Sequence, residues 1–160
     1  MESERNSAAV GAHVRALVAS DLPEVIRIDA AHTGQEKPAY WRAVFERFCG
    51  AGASRATVGL AAEGERGLDG YLFGEVREVE FGSEACGWVF AVGVDERALR
   101  RGTASALLEE ARLRFVELGV AKVRTMVARN DVPVLSFFRA SGFVGGPFVQ
   151  LELPLQERQT

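Results

Sequence analysis

Apolar positions recur along this chain with spacings that change at identifiable places. Trp41, Val44, Phe45 and Phe48 stand at i, i+3, i+4 and i+7, which predicts a helix with one apolar face. Pro38 opens that helix, and Gly50 and Gly52 close it. Upstream, 13–18 reads as a short strand. Ser20, Asp21, Pro23 and Glu24 then have the composition of a helix start, carried on by Val25 and Ile28 to a stop at Thr33-Gly34. The middle has strand character. Residues 56–62 are an apolar run. In 71–80, Tyr71, Phe73, Glu75 and Arg77 share one face and Leu72, Gly74, Val76 and Glu78 the other. Residues 87–94, GWVFAVGV, are apolar almost throughout, as expected of a central strand covered on both faces. The last third returns to helical spacing, with Leu107, Leu108, Ala111, Phe115 and Leu118 in one stripe up to Gly119. A strand over 121–128, a helix from Asn130 or Asp131 to Phe138, and a period-two segment over 147–155 complete the order. Pro154 marks that last segment as an edge strand. Trp88, Phe90 and Met126 are expected in the core. The pattern β-α-α-β-β-β-α-β-α-β defines an α/β chain (α+β by some schemes), with a flexible tail over 1–11 and one domain over 12–156.

Composition narrows the function classes. A chain of 160 residues with 48% hydrophobic and 26% charged positions is too apolar for wholesale disorder and suits one domain. A net charge of −3 argues against a nucleic-acid partner, which rewards dense cationic surface. Two cysteines, Cys49 and Cys86, make no disulfide framework, and with only His13 and His32 beside them no metal site is expected. No apolar run approaches the roughly 20 residues that cross a bilayer, and the first ten residues lack the apolar core of a signal peptide. The expectation is a cytoplasmic protein without a membrane partner.

The chemistry concentrates where strand 87–94 runs through Asp95 and Glu96 into Leu99-Arg100-Arg101-Gly102-Thr103-Ala104-Ser105 and a helix. The first amides of a helix lack internal partners and, with the helix dipole, make an anion site. Gly102 and Ala104 leave room for a phosphate to approach, and Arg100 and Arg101 add positive charge, so a diphosphate suits the nest. The segment has neither the Gly-Lys-Ser/Thr of a Walker loop nor the three spaced glycines of a dinucleotide fingerprint. It does resemble the pyrophosphate motif of the GNAT superfamily of acyl-CoA-dependent N-acyltransferases, Gln/Arg-x-x-Gly-x-Gly/Ala. Gly102 and Ala104 match that motif, and Leu99 replaces the usual Gln or Arg. A second block, Asn130 followed by Phe137-Phe138-Arg139-Ala140-Ser141-Gly142-Phe143, is similar to the superfamily's Asn…Tyr-x-x-x-Gly-Phe, with Phe138 where a tyrosine often stands. With the opening VRALVASDLPEVIRID, the resemblance spans about 13–155.

The resemblance implies a GNAT fold. Its features are a mixed sheet of six to seven strands, about four helices, and a V-shaped splay between strands four and five that receives acetyl-CoA. It implies cofactor contacts at Val92, Gly93 and Val94 for the pantetheine arm, at Leu99, Arg100, Arg101, Gly102, Thr103, Ala104 and Ser105 for the diphosphate, and at Asn130, Phe137 and Phe138. It further implies attack of an amine, from a small molecule or a peptide or protein, on the thioester. Phe138 has no proton to give a leaving thiolate. Glu75 is the candidate base, with solvation and pairing to Arg77 or a lysine as its structural alternative. Asp29 and Tyr40, at the helix–helix junction, are candidates for the acceptor side, and His32 lies in the same junction. A homodimer is expected by analogy. The alternative reading is a non-catalytic acyl-CoA sensor or interaction module on the same fold, favoured by Leu99 and Phe138. Turnover against an amine panel separates the two.

Overall fold

The computed structural model describes residues 12–78 and 82–155. The expected tail over 1–11, the end of the 71–80 strand and residue 156 lie outside those residues. The chain groups into two compact units, one up to Met126 and one from Val127 onward.

The first unit is built on a five-stranded sheet: β1 (His13–Ala16), β2 (Thr57–Gly64), β3 (Gly67–Arg77), β4 (Cys86–Val94) and β5 (Val123–Thr125). Spatial order follows chain order, antiparallel from β1 to β4 and parallel between β4 and β5. The helices α1 (Leu22–Thr33) and α2 (Pro38–Cys49) separate β1 from β2, and α3 (Thr103–Glu117) separates β4 from β5. The predicted apolar face of α2 is buried: Trp41, Val44 and Phe45 join Val25 and Ile28 of α1 against Ala61, Leu68, Tyr71 and Phe73 of the sheet. The aromatic rings meet edge-on or tilted, as in Phe45–Phe73 at 5.7 Å and Phe48–Phe73 at 5.0 Å, the geometry that aromatic quadrupoles favour. α3 buries Leu107, Ala111 and Phe115 on three strand glycines, Gly70, Gly74 and Gly87, whose missing side chains let it sit close. Leu118, expected in that stripe, lies past the helix end and is partly exposed.

Two partly buried ion-pair clusters fix chain entries. Asp21 accepts the Val18 amide at 2.9 Å and both guanidinium nitrogens of Arg15 at 2.8 and 2.9 Å, setting the turn from β1 into α1. Arg27 of α1 joins Glu24 on its own helix and, at 2.6 Å, Asp95 at the exit of β4.

The second unit contains α4 (Val132–Ala140), capped by Asp131, whose carboxylate accepts the Val134 amide at 3.2 Å. Phe138 is buried between Phe137 and Phe143, with ring centroids at 5.1 and 5.0 Å.

The sheet has fewer strands than the six to seven expected. The 147–155 segment forms no strand among the described residues, although its alternation is that of one. Period-two patterning makes a strand only where a neighbouring edge supplies ladder bonds, and here Val149, Leu151, Leu153 and Leu155 are all exposed. β5 spans three residues, not the eight of 121–128, and Met126 is 60% exposed where the core was expected.

Candidate active site

Strand β4 changes partners midway. Gly87, Trp88 and Val89 pair with Val123, Arg124 and Thr125 of β5, and the pairing stops there. The Thr125 hydroxyl donates to the Val89 carbonyl at 2.9 Å, at the final pair of the two strands. At the same level the register with β3 slips. Phe73 faces Ala91 and Gly74 faces Val89, so Phe90 is an extra residue on β4. An extra residue bends its strand and increases its twist, and this bulge sits where β4 leaves β5. Beyond it, among the described residues, 90–94 keep only β3 as a strand neighbour. The Asp95 amide donates to Asp69 at 2.8 Å. By alternation, Gly93 also turns its backbone groups to β3, and Val92 and Val94 turn theirs to the open side. The Val94 carbonyl is met there by His32 Nε2 at 2.6 Å, with the ring N–H donating.

The open edge leads into the predicted nest. Gly102 has φ +80° and Arg100 φ +62°, both left-handed, so the loop doubles back into the start of α3. Gly102 is the N-cap, no side chain caps the helix, and the first helical bond is from the Ala106 amide to Gly102 O at 2.9 Å. The amides of Thr103, Ala104 and Ser105 therefore lack helical partners. No atom lies within 4 Å of where a Gly102 side chain would start. Arg100 and Arg101 are exposed and form no ion pair among the described residues. Leu99, at the motif's polar position, is exposed.

On the α1–α2 side, Asp29 is buried and closed in. It accepts Trp41 Nε1–H at 2.9 Å and pairs with Lys37 at 3.0 Å. Tyr40, half exposed, meets Trp41 edge-on at 5.0 Å, and Trp41 meets Tyr71 at 5.4 Å. The structure thus brings Asp29 and Tyr40 together through Trp41 and adds Tyr71. Glu75 stands apart, opposite Trp88 in the zipped half of β4. It pairs with Arg47 at 3.2 Å and with Arg77 at 3.3 Å, the structural alternative foreseen for it. Asn130 lies in the turn before α4, and Phe137 and Phe138 lie on α4.

A strand edge left open beyond its parallel neighbour and leading to an uncapped helix start agrees with the splay and the nest that the sequence resemblance implies. The acetyltransferase (GNAT) family model matches residues 22–143, most of the chain. The chain belongs to the acetyltransferase (GNAT) family. Family membership classes it with the N-acetyltransferase enzymes. Solved structures share the fold at low identity. An aminoglycoside acetyltransferase from an uncultured soil metagenomic sample, in complex with sisomicin, is 18% identical with a TM-score of 0.69, covering 90% of this chain and 96% of its own. AAC(6')-Iy with the bisubstrate analogue CoA-S-monomethyl-acetylneamine is 13% identical with a TM-score of 0.76, at 90% and 98% coverage. A ribosomal-protein-alanine N-acetyltransferase from Brucella melitensis biovar Abortus 2308 is 14% identical with a TM-score of 0.71, at 89% and 99% coverage. No curated relative matches the chain by sequence. Among the described residues, no helix is long and apolar enough to cross a membrane, and no group of His, Cys, Asp and Glu is placed to hold a metal ion.

In this GNAT chain the exit of β4 is held by Asp95, which is buried. It accepts Arg97 Nε at 2.8 Å, the Arg97 amide at 2.9 Å and Arg27 Nη1 at 2.6 Å. The Arg97 side-chain bonds, followed by the Arg97 amide and Arg27, hold the Asp95 carboxyl well below the usual carboxylate range against the opposing effect of burial. A carboxyl lowered in the folded state stabilises fully above its unfolded value of about 3.9 and loses that contribution as pH falls toward the folded value. Asp95→Asn is therefore expected to cost about 1–3 kcal/mol at pH 7, and the gap to wild type narrows below about pH 4. Urea denaturation at pH 7, 4 and 3 measures it, and a gap independent of pH would sink the assignment.

Proposed function

We propose that this protein is an acetyl-CoA-dependent N-acetyltransferase that acetylates a primary amine of a small molecule, peptide or protein. The observation that carries the reading is the open edge of β4 beyond Val89, continuous with the uncapped start of α3. The pantetheine arm would add to β4 as an extra strand, with Val92 and the amide of Val94 supplying the backbone groups and Gly93 between them, the Val94 carbonyl being held by His32. The diphosphate would lie on the amides of Thr103, Ala104 and Ser105, with Gly102 giving access, Leu99 at the loop's start and Arg100 and Arg101 beside it.

In the reaction a neutral amine attacks the thioester carbonyl. A C–N bond forms, the C–S bond breaks, and the electron pair leaves on sulfur as a thiolate. An amide on the open edge stabilises the oxygen that becomes anionic in between. A thiol titrates at about 8.5, so its thiolate departs near neutrality without a strong acid, consistent with phenylalanine at 138. Glu75 is the carboxylate proposed to receive the amine's proton, and only by relay through water, because its own place is opposite Trp88, apart from the open edge, with Arg47 and Arg77 as its partners. Asp29 has its oxygens committed to Trp41 and Lys37 and shapes the acceptor side with Tyr40. A cytoplasmic homodimer belongs to the same proposal, supported by the unpaired alternating apolar residues Val149, Leu151, Leu153 and Leu155. That the fold relatives include proteins named for aminoglycosides and for a ribosomal-protein alanine supports an amine as acceptor.

Isothermal calorimetry with coenzyme A tests the cofactor. Saturable binding is expected, weakened about tenfold in the Arg100→Ala/Arg101→Ala double variant and by added salt, because both guanidinium groups are exposed. No affinity for coenzyme A would overturn the proposal. Binding with no thiol release against any amine would favour the sensor reading.

A further inference from the structure

Tyr71 reaches across β4. It is paired with Gly93 on the neighbouring strand, and a side chain begun at Gly93 would lie 2.5 Å from Tyr71 Cε1 and Cζ and 2.7 Å from its hydroxyl oxygen. Adjacent strands are about 4.8 Å apart, so the phenol ring spans the gap from β3 and lies over the Gly93 backbone. Its hydroxyl is thereby placed over β4 at Gly93, next to Val92 and Val94 in the strand. The residue is 3% exposed, and its hydroxyl makes no hydrogen bond to a described residue without being fully buried, since Trp88 Nε1 is the one fully buried side-chain polar atom left unpartnered among the described residues. A phenol oxygen that solvent still reaches, with no partner in the protein, is open to a bound substrate. The ring is fixed in place by Trp41 at 5.4 Å and Phe73 at 5.7 Å.

We propose that the Tyr71 hydroxyl is a substrate-contacting group that accepts a hydrogen bond from the N–H of the acceptor amine, leaving the nitrogen lone pair free for attack. The assignment rests on the N-acetyltransferase reading above and names the residue that positions its second substrate. Proton donation to the leaving thiolate is the weaker role for this phenol. Burial, with the charges of Asp29 and Tyr40, raises Tyr71 above its ordinary value, whereas a thiol titrates at about 8.5, so a proton would move uphill from phenol to thiolate. A phenol that stays neutral keeps its hydrogen-bonding capacity across the working pH range and gives no ionisation step of its own.

The test is Tyr71→Phe, which keeps the ring and its packing. Sisomicin, spermine, an alanine-terminated hexapeptide and an N-capped lysine hexapeptide serve as amine probes, with thiol release from acetyl-CoA as the rate and calorimetry with coenzyme A as the control. For the probe that wild type uses best, kcat/KM is expected to fall about tenfold or more. The coenzyme A dissociation constant and the melting temperature should be unchanged, and the pH profile should keep its shape. An unchanged kcat/KM overturns the Tyr71 assignment and leaves the transferase reading intact. So does a fall matched by an equal loss of coenzyme A affinity, which would make the hydroxyl structural. Wild type that binds coenzyme A and turns over none of the four amines overturns the amine contact together with the transferase reading. Wild type that does not bind coenzyme A overturns the cofactor site first.

Discussion

Phe115→Ala is expected to lower unfolding stability by about 3–5 kcal/mol, the usual range for truncating a phenylalanine in a filled core. The ring is 1% exposed and occupies the space that side chains at Gly74 and Gly87 would need, with closest approaches of 2.8 and 2.7 Å. The same contacts make Gly87→Ala costly, by about 1–3 kcal/mol through overpacking. The three nearest atoms to a Gly87 side chain all belong to the Phe115 ring, so the double variant Gly87→Ala/Phe115→Ala should recover part of both losses. Gly74 differs, because its side chain would also meet the Trp88 carbonyl at 2.9 Å, and backbone does not yield when the ring is removed. Gly74→Ala should stay destabilising in the Phe115→Ala background. Urea denaturation of the two cycles decides the matter. Additivity within about 0.5 kcal/mol in the Gly87 cycle would show that ring and glycine do not share one space.

Much of this arrangement was legible in the sequence, and the reasons it was legible also mark the limits. The α2 face and the α3 stripe through Phe115 are periodic, and periodicity reports which side of an element is covered, while the unbroken apolar run of β4 marks a strand without that signal. The uncapped start of α3 was legible because Gly102 and Ala104 are local features, and local features survive folding. Long-range pairing carries no such signal. The 147–155 segment has the alternation of a strand and forms none among the described residues. The short β5 shows that a run of strand-forming residues stops pairing when its neighbour bends away. On the acceptor side, Asp29 and Tyr40 were read as polar groups near apolar ones. Their link through Trp41 Nε1 needs the packing of α1 on α2, which spacing along the chain does not encode. Tyr71 was placed on the right face of its strand and given no role. A signal was present in Gly93, since a glycine inside a buried strand between two valines marks a close approach. What approaches it is set by the β3–β4 register, and that register contains a slip no local pattern announces.

The slip itself carries the second large prediction. Deleting Ala91 is expected to weaken coenzyme A binding by 100-fold or more, a loss of about 2.7 kcal/mol, while the chain still folds. Phe73 faces Ala91 and Gly74 faces Val89, so removing one residue lets β4 run against β3 without a break, with Phe90 facing Phe73. Phe90 already lies 6.1 Å from Phe73 and 5.8 Å from Phe48, so retaining it preserves the aromatic packing under the strand. The pairs from Leu72–Val92 to Gly70–Val94 keep their partners, because the shortening occurs within the bulge. What changes is the bend. Without the extra residue β4 loses its local kink and excess twist, its path past β5 straightens, and the gap faced by the backbone of Val92 and the amide of Val94 narrows. The nest at Gly102 is left as it was, so the diphosphate keeps its seat while the arm loses its edge. Calorimetry with coenzyme A and with pyrophosphate alone separates these two contributions. Affinity for coenzyme A within threefold of wild type, in a variant with a wild-type circular dichroism spectrum, would show that the bulge does not hold the cleft open.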